Sequence, residues 1–499
     1  MSAMPIPVED DSTSIVFIDQ RPAVVEVAES LERPSPSRLQ EDEDRKSDAD
    51  EDEEEEEEGS YQDKPRFRTW KKHATHLYQL MMHVDLVWES PSIALMPYMS
   101  VKDHLATQTV LCGTRTGGQE QNYLQFLHIT TPIDASRLDD EGAGFNDGTG
   151  EVGGFGSAPP GCGMHIERRM YHDGDVLGTR YMHANPLLLG TASSDHNLYV
   201  FDWSRVPKSL KPNNPERPRG PLPPNALSLH AGDEERHAFM KRMRQIDDVA
   251  AQQQAWDSER GAGQHVVALK GHTVASSHLD WNTTSDGSVA SGAGDTIRVW
   301  QVGNLSKSAE KTVDPYWSAT LDDESAVITE TKFSWTDPQT FLATTSTGSL
   351  IHADVRRAGS EVNELCTIAP DLCAYNGLTA LAVSPLNGNL IALGTANGTM
   401  AVFDLRNADV PVLSEPLHRG EITCIQWCPH RASLIATGGD DGIVVLRDVT
   451  TGAIAFKHSA HTHTVTDLQW CWQDSLQYEM VSVDCNAITL WRPRNAYLA

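Results

Sequence analysis

From Lys64 to Asp85 the apolar positions Phe67, Trp70, Ala74, Leu77, Met81 and Val84 recur every three to four residues, a spacing that gathers side chains on one face of a helix. The pattern predicts an amphipathic helix over 64–85. Tyr78, Leu80 and Met82 fall off that stripe and form a second apolar surface, for a partner or for the body of the same molecule. Beyond Asp85 the period changes. Short apolar runs end in a turn and a hydrophobic residue followed by Asp, at Phe201-Asp202 and Phe403-Asp404, with Ala353-Asp354 and Arg447-Asp448 as weaker copies. Trp300-Gln301 and Trp491-Arg492 occupy the same place, and where no insertion intervenes these marks lie 44 to 53 residues apart. That is the length of one propeller blade.

The repeats place seven blades at 106–172, 174–202, 264–302, 318–356, 365–407, 411–450 and 453–492, with Leu86 to Met96 as the outer strand that closes the last blade on the first. Such closure removes the sheet edges that invite aggregation. The predicted fold class is all-β: a seven-bladed WD40 β-propeller over 86–499, with the helix of 64–85 packed on it. In one repeat His272, Asp295 and Trp300 stand where a buried imidazole, the acid of a tight turn and an indole can satisfy one another. His461, Asp484 and Trp491 repeat the set, and Asp195 and Asp441 supply the turn acid elsewhere. Insertions interrupt the pattern at 133–163, which is Gly-rich, and at 203–263, which begins Pro-rich and continues as a polar helix. Read as following an outer strand, the second should leave on the face where the turns between middle strands gather.

Charge sharpens the picture. Lys and Arg number 40 against 70 Asp and Glu, a net charge of −30, which repels nucleic acid and membrane surfaces and attracts basic proteins. Much of the excess lies in 41–58, within a segment, 1–63, that lacks periodicity and reads as a disordered acidic tail. No apolar run is long enough for a membrane span, and Met1 to Gln20 has no secretory pattern. The eight Cys form no CxxC pair, so they read as core residues in a reducing compartment. No phosphate loop, HExxH or nucleophile elbow occurs, and Gly153-Gly154-Phe155-Gly156 lacks the strand-then-helix setting a phosphate site needs. His458, His461 and His463 read as blade and turn residues rather than metal ligands. No enzyme, no cofactor and no metal is expected.

At Trp70-Lys71-Lys72, Leu77-Tyr78, Leu86 to Ser92, Leu111 to Leu124, Gly150 to Ser157, His172 to Tyr181, Phe403 to Asn407 and Ile425 to His430, the chain resembles the retinoblastoma-binding, chromatin-assembly-factor small-subunit family of histone-binding WD-repeat proteins. The resemblance runs from about Arg66 to the end, omitting the second insertion. It implies a scaffold or chaperone role within a nuclear chromatin assembly or modifying complex, with the cytoplasm as a second compartment. The implied partners are histones H3 and H4 and other members of the complex, with no direct nucleic-acid site and no membrane. One implied peptide site is the acidic channel mouth, mapped here to Asp175, Leu177, Ser277, Glu421 and Thr423. Asp175 and Glu421 keep the family's acids; Leu177 replaces an amide, Ala275 and Gly377 replace acids, and Ser277 replaces an aromatic. The other is a groove beside the N-terminal helix, mapped to Phe67, Trp70, His76, Leu77 and Leu80, where His76 replaces an aromatic. A tight Thr-Thr-Gly turn between Asp448 and Ala453 replaces the family's long acidic loop, a charge that the tract around Glu53, Glu54, Glu55 and Glu56 could substitute. The alternative function is an assembly chaperone for another basic cargo such as a ribosomal protein; an adaptor in RNA processing or ubiquitin ligation is the third.

Overall fold

Seven sheets of at least four strands each stand side by side around a channel. The structure, a computed structural model, describes residues 70–133, 163–205, 265–302, 312–357, 363–367 and 377–494 apart from short gaps, together with Ser14–Ile15, five positions between 238 and 244, and Tyr497. Of the expected tail only Ser14–Ile15 is described, and there it is not disordered but a short strand paired antiparallel with Ser100 and Val101; the rest of it with Glu53 to Glu56, the side chain of Phe67 and most of both insertions lie outside the described residues. The inner strands are Ile93–Lys102, Val176–Met182, Asp280–Trp281, Ile328–Phe333, Leu378–Val383, Ile422–Trp427 and Asp467–Trp470, which number blades 1 to 7. Each touches the next, and the last touches the first. The ring is a closed seven-bladed β-propeller.

Its closure corrects the expected helix. Among the described residues there, Trp70, His73, Ala74, His76 and Leu77 are helical, but from Tyr78 the chain is a strand, Tyr78–Ser90, paired antiparallel with Cys485–Pro493 as the outer strand of blade 7. Tyr78 and Met81 belong to the apolar layer facing blade 6, whereas Leu80 and Met82 belong to the layer facing blade 1. A strand buried on both faces is apolar at every position, so a three-to-four spacing can be drawn through it as easily as through a helix. The second apolar surface is therefore the other face of this strand. The expected closing strand, Leu86 to Met96, straddles two elements: its start ends Tyr78–Ser90 and its end opens Ile93–Lys102.

Repeats and blades are also out of phase by one strand. Val267–Leu269 pairs with Leu198–Asp202 and completes blade 2, and Trp317–Thr320, Asn363–Thr367, Leu413–Pro416 and Ile454–His458 likewise complete blades 3 to 6. A repeat thus begins on the blade before its own, which ties neighbours covalently and in register. The second insertion follows a third strand, Leu198–Asp202, and not an outer one. It leaves at the end of that strand away from the 193–198 turn, on the face opposite the one expected.

Polar groups lock the blades to one another inside the apolar layers. Trp281, Trp427 and Trp470 donate their indole N–H to the carbonyls of Arg180, Ala382 and Gln426 on the preceding inner strand, at 3.1, 3.2 and 3.2 Å. Carboxylates reach the other way: Asp280 accepts from Phe333 N, Glu330 from Leu381 N and Asp467 from Ile93 N, at 2.8, 2.6 and 3.0 Å. Each satisfies a backbone group that burial would otherwise leave costly.

Candidate partner-binding site at the channel mouth

The inner strands begin at the end of the ring where the turns between second and third strands lie: Ser194 N donates to Asp175 O and Asp440 N to Glu421 O, each at 3.0 Å. Those turns are built from His and Asp at a fixed separation of 23 residues. In blade 6 His418 Nδ1 meets Asp441 at 3.0 Å and Nε2 meets Thr437 Oγ1 at 2.8 Å. In blade 7 His461 Nδ1 lies 3.3 Å from Asp484, Nε2 lies 2.7 Å from Ser482 Oγ, and Trp491 donates to that same hydroxyl at 3.0 Å. Burial alone would raise both carboxyl pKa values, but the imidazole beside each, with backbone N–H donors, outweighs it and holds Asp441 and Asp484 below the usual range.

The repeat that reads best in the sequence is built differently. Neither ring nitrogen of His272 finds a hydrogen-bond partner; the ring packs edge-on against Trp300 at 5.2 Å, Trp300 donates to Lys270 O at 2.9 Å, and no bond joins His272 to Asp295 among the described residues. Ser291, the hydroxyl that should receive the imidazole, donates to His278 O and Ser276 Oγ instead. His172 and His418 were missed by the motif reading. The separation of 23 to Asp195 and Asp441 was the available signal.

At the mouth, Oδ1 of Asp175 and the hydroxyl of Thr423 are engaged within the ring. Asp175 Oδ1 accepts from Thr116 N, Gly117 N and Asn122 Nδ2 at 3.0, 3.1 and 2.9 Å, holding the 116–122 turn of blade 1. Thr423 donates to Val465 O on blade 7, as Thr379 on blade 5 donates to Ile422 O at 2.6 Å. Leu177 is half-buried and Ser277 exposed. Glu421 differs: it is exposed, and partial burial, then the nearby Asp440 charge, raises its pKa. Asp440 lies over Gly420, where a Cβ would come within 2.3 Å of its carboxylate. Two neighbouring carboxylates that repel one another are a place for a cation.

Two of the four groove residues that are described belong to the core. Trp70 and Leu80 are buried, Leu77 is half-buried and His76 is exposed. Trp70 Nε1 donates to Tyr78 Oη at 3.0 Å, and Tyr78 Oη meets His458 Nδ1 at 2.7 Å, which fastens the helical turn to blades 6 and 7. Asp448 accepts from Thr450 N and Thr451 N, both at 2.9 Å, and draws 448–453 into a tight turn with Gly452 at φ +68°. His458, His461 and His463 serve separate hydrogen bonds.

At the opposite end of the channel, a cavity of about 100 Å³ is lined from all seven inner strands. His183, Trp335 and Trp472 crowd its exit with ring centroids 5.7 to 6.3 Å apart. Burial, helped by the Lys332 charge, lowers the His183 pKa to about 4, so the ring is neutral at physiological pH.

Residues 65–133 match the family model of the histone-binding protein RBBP4 and its counterpart in the CAF1 complex. Residues 381–473 match the WD40 domain of anaphase-promoting complex subunit 4. Over 274 residues the chain is 25% identical to histone acetyltransferase type B subunit 2 of Aspergillus fumigatus, covering 54% of this chain and 50% of that relative. The chain thus spans about half the length of that relative. A closed seven-bladed ring, a match to the RBBP4 and CAF1 model across its closure, and this relative together make the chain similar to the RBBP4-like family of histone-binding WD-repeat proteins.

Proposed function

We propose that the chain is a non-catalytic docking subunit of a nuclear chromatin complex, receiving basic segments of histones H3 and H4 or Arg- and Lys-rich peptides of companion proteins. The observation that carries the reading is the match of 65–133, the segment that closes the ring, to the histone-binding family model. The physics agrees with it: a net charge of −30 draws cationic proteins from a distance, and Glu421 with Asp440 offers a paired acceptor for one Arg or Lys at the mouth. Because Asp175 Oδ1 is held by the 116–122 turn, the grip is assigned first to Glu421 and Asp440. The test is affinity purification with mass spectrometry, then titration of H3-tail peptide. Glu421→Gln with Asp440→Asn should weaken binding about tenfold, one charge-assisted contact, and flatten its salt dependence. Undiminished binding by that double variant moves the site elsewhere.

The second reading, a chaperone for another basic cargo such as a ribosomal protein, is favoured by the commitment of Asp175 and Thr423 to the ring and by the tight 448–453 turn. Nucleolar co-purification with ribosomal proteins, without histones, would select it.

A further inference from the structure

Where the ring closes, the outer strand of blade 7 leaves its sheet. Asp85 pairs with Ala487 and Ser90 with Cys485, so residues 86–89 stand opposite Asn486 alone. This bulge is fastened across to blade 1: Arg115 N donates to Glu89 O at 2.9 Å, and Trp88 Nε1 to Glu120 Oε2 at 3.2 Å. The apolar layer between blades 7 and 1 buries Leu80, Met82, Cys112 and Leu127, but at its outer end Leu86 and Ile166 are only partly covered. Val87, on the bulge, is 92% exposed. Leu86, Val87, Cys112, Leu127 and Ile166 edge a cleft of about 340 Å³, near the lower end of known ligand pockets.

We infer that this cleft is a second docking site, separate from the channel mouth, which takes an aliphatic or aromatic anchor from a basic protein segment. It rests on the histone-binding reading and extends it. The apolar edge selects an apolar group, since filling the cleft would remove Val87, Leu86 and Ile166 from water. The lip selects positive flanks: Asp85 and Glu89 are 66% and 50% exposed, and Glu120 stands beside them. Arg115 lies 4.0 Å from Glu89 and Arg169 lies over the Tyr123 ring, so the three carboxylates Asp85, Glu89 and Glu120 face two guanidiniums and the lip keeps an excess of negative charge. The walls contributed by residues 84–127 also fall inside the 65–133 segment that matches the histone-binding model.

The test uses the full chain and purified H3–H4. Val87→Asp changes an exposed side chain, so the melting midpoint should stay put while affinity falls about tenfold or more. A photo-crosslinking residue at position 87 should capture a histone, and should do so equally in the Glu421→Gln background. Wild-type affinity in Val87→Asp with no adduct from position 87 overturns the cleft and leaves the mouth standing. A wild-type chain that binds no H3–H4 overturns the reading beneath both.

Discussion

Asp467 concentrates the closure of the ring in one buried carboxylate. It sits on the inner strand of blade 7, accepts from Ser92 Oγ and Ile93 N of blade 1 at 2.9 and 3.0 Å, and pairs with Arg180 of blade 2 at 2.9 Å. The side chains of Asp467 and Arg180 are 6% and 24% exposed. Removing one partner of such a pair costs about 3–5 kcal/mol. Asp467→Ala should fall near the low end, about 3 kcal/mol, because Arg180 Nη1 keeps the carbonyls of Ile93 and Thr179 at 3.1 and 2.7 Å. With an unfolding entropy of about 2.1 cal/mol/K per residue, a ring of roughly 400 residues carries about 0.8 kcal/mol/K, so the midpoint should drop by about 4 °C. Scanning fluorimetry on the native tryptophans measures this. The paired change Asp467→Leu with Arg180→Met removes both charges and should recover most of the loss. A single variant melting within about 1 °C of wild type, or a pair no better than Asp467→Ala, would refute the assignment of closure strength to this contact.

Three further outcomes follow from the buried polar groups. Tyr78→Phe deletes the hydroxyl between Trp70 and His458 and should cost about 1–3 kcal/mol through the polar atoms left buried; protease sensitivity around residues 70–77 should rise, and unchanged cleavage argues against the tether. His272, lowered from 6.5 to about 4 by burial and then by Arg298, takes its proton in the unfolded chain first, so stability falls as pH drops from 6.5 towards 4 at about 1.4 kcal/mol per pH unit. His272→Phe should remove that share of the slope in urea titrations, and an identical slope excludes it. Asp484, held below its ordinary 3.8, contributes stability above that pH that is lost as pH falls through its folded value; Asp484→Asn should flatten the acid limb below pH 4, to be read by circular dichroism.

Blade number was legible because the hydrophobic-Asp mark returns at a nearly constant interval, and no packing detail is needed to count it. The helix boundary was not, since Tyr78 to Met82 is apolar on both faces and periodicity cannot separate a doubly buried strand from a helix. The phase of the blades depends on whether Val267 pairs with Val200 or starts a new sheet, a tertiary choice absent from the local pattern. At the mouth, Glu421 stands just before its inner strand, while the hold of the 116–122 turn on Asp175 Oδ1 depends on contacts 53 to 59 residues away, which no local pattern carries. His418 could have been found by arithmetic on His461 and Asp484, without any likeness in the intervening residues.

Both long insertions depart from the ends of third strands, after Asn122–Pro132 and after Leu198–Asp202, on the side of the ring away from Glu421. Both additions enter the chain at strand ends on that side. The two sides can therefore diverge independently: a fluorescent protein spliced between 206 and 237 should leave peptide capture at the acidic rim untouched, and the back of the ring becomes the natural place to tether the molecule when its front is being measured.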